Sequence, residues 1–181
     1  MTKEIPLSQG LVALVDDVDY EWASKHKWHA HRKPKENTWY ARRNTVTWPN
    51  RKTLYLHREI MNAPPGIQVD HIDGNGLDCR RANMRLATKA DNGRNRGKQS
   101  DNTSGFKGVT WNKSARKWVA QIKVNSKNIH LGYHNTAEAA ARTYDEAAWK
   151  YFGDFARTNF EGVGVAQKVR QALRRELGLE E

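Results

Sequence analysis

Between Val69 and Asn92 the chain sets an aspartate, a histidine and two asparagines, Asp70, His71, Asn83 and Asn92, at spacings that a short hairpin and a helix bring together. These are the residue types that hydrolysis of a phosphodiester requires. Its transition state gathers negative charge on the phosphoryl oxygens and on the departing 3′ oxygen. A hard divalent cation with oxygen ligands stabilises both. Asp70 and the side-chain carbonyl of Asn92 supply such oxygens and leave positions for substrate and water. A neutral imidazole, with an ordinary pKa near about 6.5, takes the proton of an attacking water at cellular pH, which is the role open to His71. Asn83 either holds that imidazole in the right tautomer or braces the loop.

The elements that must position these groups are legible around them. Asp73-Gly74 and Asn75-Gly76 are consecutive turn dipeptides, so a strand starting at Ile67 must reverse there. Residues 84–88 then return as its partner, and residues 89–96, with Thr88 as N-cap, read as a helix. Adjacent strand residues face opposite ways. Asp70 and His71 therefore serve one site only if His71 sits where the strand twists into the loop. Upstream, residues 10–15 read as a buried strand ended by Asp16-Asp17, residues 18–25 as a short helix, and residues 39–42 and 53–57 as strands. Trp22, Trp28, Trp39 and Trp48 suit core packing. His29 and His31 have the spacing of a metal pair, but no second pair of ligands is near in sequence. His57 is expected to pack beneath the site, and Cys79 has no partner and no assigned chemistry.

The chain has 181 residues, 31 Lys and Arg against 20 Asp and Glu, a formal charge of +11 and a mean hydropathy of −0.91. Residues 51–150 hold 18 of the basic residues and 9 of the acidic ones. The densest run is Arg80, Arg81, Arg85, Lys89, Arg94, Arg96 and Lys98, opposed by Asp91, and it points to phosphate contact. A single cysteine excludes an internal disulfide framework and a CxxC zinc site. No apolar run approaches the roughly 20 residues of a membrane helix. The N-terminus has no apolar signal region, so a cytoplasmic location without a secretion signal or membrane partner is expected.

Residues 97–105 contain no apolar side chain and read as a linker. Beyond them, residues 117–124 alternate, placing Trp118, Ala120, Ile122 and Val124 on the core side and Lys117, Gln121 and Lys123 outside. Thr136 opens a helix in which Ala137, Ala140, Ala141, Tyr144, Ala148 and Tyr151 form a stripe of small and aromatic residues, ended by Gly153. A sheet packed on such a helix leaves its other face polar and basic, suited to a DNA major groove.

Two resemblances sharpen this. The segments Leu56-His57-Arg58-Glu59-Ile60-Met61, Val69-Asp70-His71-Ile72-Asp73-Gly74, Arg81-Ala82-Asn83-Met84-Arg85-Leu86-Ala87-Thr88 and Asp91-Asn92-Gly93-Arg94-Asn95 resemble the HNH (His-Me finger) endonuclease family of mobile-element type. The resemblance implies His71 as general base, Asn83 as its orienting partner, and Asp70 with Asn92 as metal ligands. Asn92 stands where many members have His, as in the phage and intron homing branch, which favours Mg²⁺ or Mn²⁺. Asp91, next door, leaves the helix ligand open. Arg85 suits either the scissile phosphate or a surface ion pair. The segments Phe106-Lys107-Gly108-Val109, Lys117-Trp118-Val119-Ala120-Gln121-Ile122, Ile129-His130-Leu131-Gly132-Tyr133 and Thr136-Ala137-Glu138-Ala139-Ala140-Ala141-Arg142-Thr143-Tyr144-Asp145, followed by Asn159-Phe160, resemble the AP2/ERF DNA-binding domain. That family lays its sheet in the major groove, and the matching outward positions are Lys107, Thr110, Asn112, Gln121, Lys123, Asn128 and His130. Several of these are Arg or Trp in plant members, so base preference does not carry over.

The expected fold is α+β, a ββα-metal (HNH) nuclease domain followed by a three-stranded antiparallel sheet packed on one helix. The expected domains are 1–97 for the nuclease with its N-terminal extension, a linker at 98–104, the AP2-like domain at 105–160 and a C-terminal helix at 161–181. The resemblance implies a metal-dependent homing endonuclease acting on double-stranded DNA in a bacterial or phage-infected cell. A monomer would nick and a homodimer would break both strands. The rival is a DNA-binding regulator with an inactive HNH domain. RNA is disfavoured because an A-form duplex hides its major groove.

Overall fold

A computed structural model describes residues 1–32, 38–45 and 51–160. The expected C-terminal helix at 161–181 and Trp48 lie outside the described residues. The chain divides into two compact units, Met1–Gly93 and Arg94–Glu181.

The first unit begins with an antiparallel pair, β1 (Thr2–Pro6) and β2 (Val12–Asp16), followed by α1 (Asp17–Ala23). Strands β3 (His29–Arg32), β4 (Trp39–Asn44) and β5 (Thr53–Tyr55) form an antiparallel sheet in that order. Helix α2 (Leu56–Ile60) leads to the hairpin β6 (Gln68–His71) and β7 (Met84–Ala87), and then to α3 (Lys89–Arg94). The sequence reading extends a strand through His57, whereas β5 stops at Tyr55. Leu56 and Ile60, four residues apart, are both in the core, and helical spacing is what buries them together.

One core ties these pieces together. Ile5, Ala13, Val15, Trp28, Ala41, Leu56, Ile60, Val69, Cys79 and Met84 are buried in a single cluster. At about 1.5–3 kcal/mol for each large apolar side chain removed from water, the N-terminal hairpin is part of this domain's stability. Trp28, the largest fully buried side chain, satisfies its indole by donating Nε1–H to the Ala23 carbonyl at 2.9 Å.

The second unit is a three-stranded antiparallel sheet packed on one helix. Strands β8 (Val109–Asn112), β9 (Lys117–Val124) and β10 (Lys127–His134) lie with β9 central, against α4 (Ala137–Phe152). The Thr136 hydroxyl caps α4 by accepting from the Ala139 N–H, and Gly153 ends it at φ +53°. Ala140, Ala141 and Ala148 are fully buried, so the helix lies close to the sheet. A Cβ at Gly108 would sit 1.9 Å from the Tyr144 ring, which only glycine avoids. The expected stripe is corrected at one end, because Tyr151 is 42% exposed while Ala147 and Asp145 face inward. Asp145 accepts from the backbone N–H groups of Asn159 and Phe160 and from the Asn159 amide, pinning the chain after α4. Burial pushes its carboxyl above the ordinary range. Ahead of the sheet, the Ser104 hydroxyl donates to the Val109 carbonyl at 2.8 Å and the Asn102 amide to that of Phe106 at 2.8 Å. Among the described residues no helix is long and apolar enough to cross a membrane.

Candidate functional site

The loop joining β6 to β7 is fastened from three sides. Asn83 closes it from within: its amide donates to Asp73 Oδ1 at 2.9 Å and to the Asp78 carbonyl at 3.0 Å, and its Oδ1 accepts from the Asp73 N–H at 3.2 Å. Its own carbonyl accepts from the Ile72 N–H at 2.8 Å. Of the two roles open to Asn83 in the sequence, its side chain makes the loop-bracing contacts. From the N-terminal hairpin, Leu14 brackets the loop, donating to the Leu77 carbonyl and accepting from Cys79 N–H, both at 2.8 Å. From β4, a Cβ at Gly76 would meet the Trp39 carbonyl at 2.4 Å and the Tyr40 ring at 2.7 Å. Arg58 fastens the approach to β6, donating to the carbonyls of Ile67, Ala63 and Pro64.

His71 is the last residue of β6, where the strand enters this loop. Its imidazole, 6% exposed, lies edge-on to His57 with ring centroids 5.2 Å apart, and 6.0 Å from Tyr40. His57 is therefore a wall of the histidine's pocket, with Tyr40 and Tyr55 completing it at 5.4 and 5.6 Å from its ring. Burial lowers the His71 pKa from its ordinary 6.5, outweighing the carboxylates of Asp73, Asp70 and Asp78, which pull it up. The imidazole is thus neutral at pH 7, the state in which it can accept a proton. Cys79 is fully buried and its thiol is pushed up to about 12, so it is inert.

Asp70, one residue earlier in β6, alternates with His71 along the strand but is close enough for its charge to raise the imidazole pKa. It is 3% exposed and pairs with Arg85, directly across the hairpin, whose Nε and Nη2 approach one carboxylate oxygen at 2.8 and 2.6 Å. Gln68, two residues earlier, shares that face, and its Oε1 accepts from Asn92 Nδ2 at 2.7 Å. The bond seats Asn92 of α3 over the Asp70 side of the hairpin. With its amide nitrogen on Gln68, the atom Asn92 has to offer a cation is its carbonyl oxygen. Asp91 serves the helix instead. Its carboxylate accepts from the Thr88 hydroxyl at 2.6 Å and the Thr88 N–H at 3.2 Å, a capping box that starts α3. The donor chemistry fits a hard divalent cation. A buried carboxylate that already draws a guanidinium demands positive charge, and both ligand atoms are oxygens. Among the described residues no group of three or more His, Cys, Asp and Glu is arranged to hold an ion.

Three arginines of the basic run have aspartate partners in this unit. Arg80 is bonded to Asp78, Arg81 to Asp19 and Arg85 to Asp70, and all three aspartates are buried. Arg80 and Arg81 keep 41% and 49% of their side chains exposed, and Arg85 18%. Asp19 lies 62 residues from Arg81, beyond the reach of any local reading of charge.

On the sheet of the second unit the alternation holds along β9: Ala120 and Ile122 are buried against α4, while Gln121 and Lys123 lie on the outer face. Register then sets their neighbours. Gln121 pairs with His130, Lys123 with Asn128, and Val119 with Thr110 on β8. Asn112 pairs with Lys117 and accepts from Ala115 N–H at 2.8 Å, so it also shapes the β8–β9 turn. Lys107 is a correction. It precedes β8, and its ammonium donates to the carbonyls of Arg94 and Arg96 at 2.7 and 2.6 Å instead of standing on the outer face. Burial pulls its pKa down to about 8. Tyr133 is an addition. A bulge between His130 and Gly132 breaks the alternation, so Tyr133 pairs with Val119 on the outer face and its ring lies 4.8 Å from that of His130. The only hint in the sequence is Gly132 within the strand, a frequent mark of a bulge.

Comparison with known proteins gives two family matches, an HNH endonuclease over residues 62–94 and an AP2 domain over residues 104–154. Protein 3.8 of Escherichia phage T7 is 34% identical over 94 residues, which make up 52% of this chain and 77% of the phage protein. An uncharacterized HNH endonuclease, L560, of Acanthamoeba polyphaga mimivirus is 33% identical over 112 residues, 59% of this chain and 57% of that protein. The ethylene-responsive transcription factor ERN1 of Medicago truncatula is 42% identical over 86 residues, 46% of this chain and 32% of the factor. The chain thus spans just over half of the mimivirus protein and about a third of the plant factor.

Proposed function

Because the chain belongs to the family of phage protein 3.8 and joins an HNH endonuclease domain to an AP2 domain, we propose that it is a metal-dependent DNA endonuclease of the homing type, with the AP2 domain choosing the site. The hairpin β6–β7 with α3 is then the ββα-metal unit. The domains run 1–97 and 105–160, joined through 98–104. The observation that carries the reading is the pair of buried groups on one short strand. At the end of β6 His71 is buried and held neutral, and the adjacent Asp70, whose charge acts on that imidazole, is buried and partnered by Arg85.

In this mechanism His71 accepts the proton of the attacking water, and the walls formed by His57 and Tyr40 hold its ring in one orientation. Asp70 and the side-chain carbonyl of Asn92 would hold a divalent cation, Mg²⁺ or Mn²⁺. When bound, the cation supplies positive charge opposite the phosphoryl oxygens and the leaving 3′ oxygen. Asn83 keeps the loop in register, so that the base and the cation-binding face keep a fixed relation. Arg85, held on Asp70 and partly exposed, would lie beside that cation and could contact the phosphate. Thr110, Asn112, Gln121, Lys123, Asn128 and His130 read or grip the duplex from the second unit, with amides on base edges and lysine on phosphate.

The test is incubation with supercoiled plasmid in Mg²⁺, in Mn²⁺ and in EDTA. The expected outcome is nicked or linear product with either ion and none in EDTA. Tight duplex binding without cleavage under all three conditions would favour a DNA-binding regulator with an inactive HNH domain.

A further inference from the structure

The sheet β3–β4–β5 has no chemistry assigned by sequence, yet one of its faces ends at His71. Its register sets His29 beside Arg42 and Arg42 beside Tyr55, while Asn44 lies opposite Thr53. Cross-strand partners share a face, and Tyr40, two residues from Arg42, shares it too. The opposite face carries Ala30 and Ala41 into the core, with Arg43 over the Trp28 ring at 5.3 Å. At one end of the first face Tyr40 and Tyr55 meet His57 and His71. None of the strand residues in this sheet is acidic, and among the described residues no carboxylate pairs with Arg42. Arg51 and Lys52, both exposed, lead directly into β5. Where Arg80, Arg81 and Arg85 are each neutralised by a buried aspartate, this face keeps its charge toward solvent.

We propose that this face is a docking surface for double-stranded DNA, gripping the sugar-phosphate backbone beside the bond presented to His71. Arg42 contacts phosphate, and Tyr40 forms the floor between that contact and the histidine. Two residues along a strand span about 7 Å, or about two base steps along the duplex axis. With Tyr40 itself 6.0 Å from His71, Arg42 therefore holds a phosphate a few steps from the site. The contact is to backbone and is independent of sequence. Its placement at the scissile bond rests on the endonuclease reading, while DNA binding by the face does not.

The experiment uses the full chain in EDTA with a fluorescein-labelled 30-base-pair duplex of arbitrary sequence. Cys79 is buried and unreactive, so Thr53→Cys on this face can be modified selectively with an azidophenacyl group. Thr110→Cys on β8 serves as the reference and Val18→Cys on α1, 74% exposed, as the control. Irradiation is expected to crosslink Thr53→Cys at a yield like that of Thr110→Cys and several-fold above Val18→Cys. Arg42→Ala is expected to lower the salt slope of binding by about 0.9, the value for one phosphate contact, and Arg42→Lys to restore it. A Thr53→Cys yield no higher than that of Val18→Cys, or an unchanged slope in Arg42→Ala, would overturn the proposal. Crosslinking by a chain that leaves plasmid intact in Mg²⁺ would uphold the docking surface and sink the endonuclease reading alone.

Discussion

Arg85→Ala isolates the charge that Asp70 demands. The aspartate is 3% exposed and its partner keeps 18% of its side chain in solvent. Breaking a buried ion pair from one side costs about 3–5 kcal/mol, because the remaining charge is stranded away from water. The partial exposure of Arg85 lets water into the gap, which brings the expected loss to about 2–3 kcal/mol. For a unit the size of Met1–Gly93, each kcal/mol moves Tm by about 4–8 °C. Calorimetry in EDTA should therefore show the first unit melting about 10–20 °C lower. Two controls separate charge from packing. Arg85→Lys should lose less than half as much, and the double variant Asp70→Asn with Arg85→Ala should recover most of the loss, since no charge is left buried. Addition of Mg²⁺ should raise the Tm of Arg85→Ala more than that of the parent, because the Arg85 guanidinium no longer competes for the carboxylate. A single variant that loses less than about 0.5 kcal/mol, or a double variant no more stable than the single, would refute the argument.

Three further outcomes follow from the same geometry. In metal-free protein, the His71 ring proton resonance, assigned by its loss in His71→Ala, should titrate below pH 6.5. The unfolded chain then takes up that proton first, so stability falls as pH drops from 6.5 toward the folded value, and a resonance titrating above 6.5 would remove the burial argument. Asn92→Ala should weaken Mn²⁺ binding by about tenfold or more in a spin-resonance titration, whereas Asp91→Asn should chiefly loosen α3; equal effects would undo the division between them. Gln121→Ala should relax sequence preference at one position by about 1–3 kcal/mol, while Lys123→Ala should weaken every duplex alike with a flatter salt dependence; identical behaviour of the two variants would mean that the sheet reads no bases.

The sequence discloses the hairpin and helix because turn dipeptides and a capping threonine are local signals, and each lies where the chain uses it. The alternation along β9 is equally local. What the sequence hides depends on distance. Asp19 finds Arg81 across 62 residues, and Leu14 meets the loop at Leu77 and Cys79, so the bracing of the site by the first hairpin has no signature in the run of residues around His71. β1 itself, with Lys3, Glu4 and Pro6, lacks the apolar run of a buried strand, and its single core residue is Ile5. His57 packs at the site as expected, but the strand expected to carry it is a helix. Placed in a strand it would point with one face of a sheet, but the i,i+4 burial of Leu56 and Ile60 coils the segment and turns the imidazole onto His71. Lys107 and Tyr133 escape because each lies at a break in alternation: one before the positive-φ Gly108, the other after the bulge at Gly132.

The central claim is that His71 removes the proton from the attacking water while taking no large part in holding DNA. Single-turnover cleavage of supercoiled plasmid in Mg²⁺ by the parent and by His71→Ala, with duplex affinity measured alongside in EDTA, tests it directly. The account predicts a cleavage rate about 10² to 10⁴-fold lower with affinity nearly unchanged. Cleavage by His71→Ala at the parental rate would contradict it.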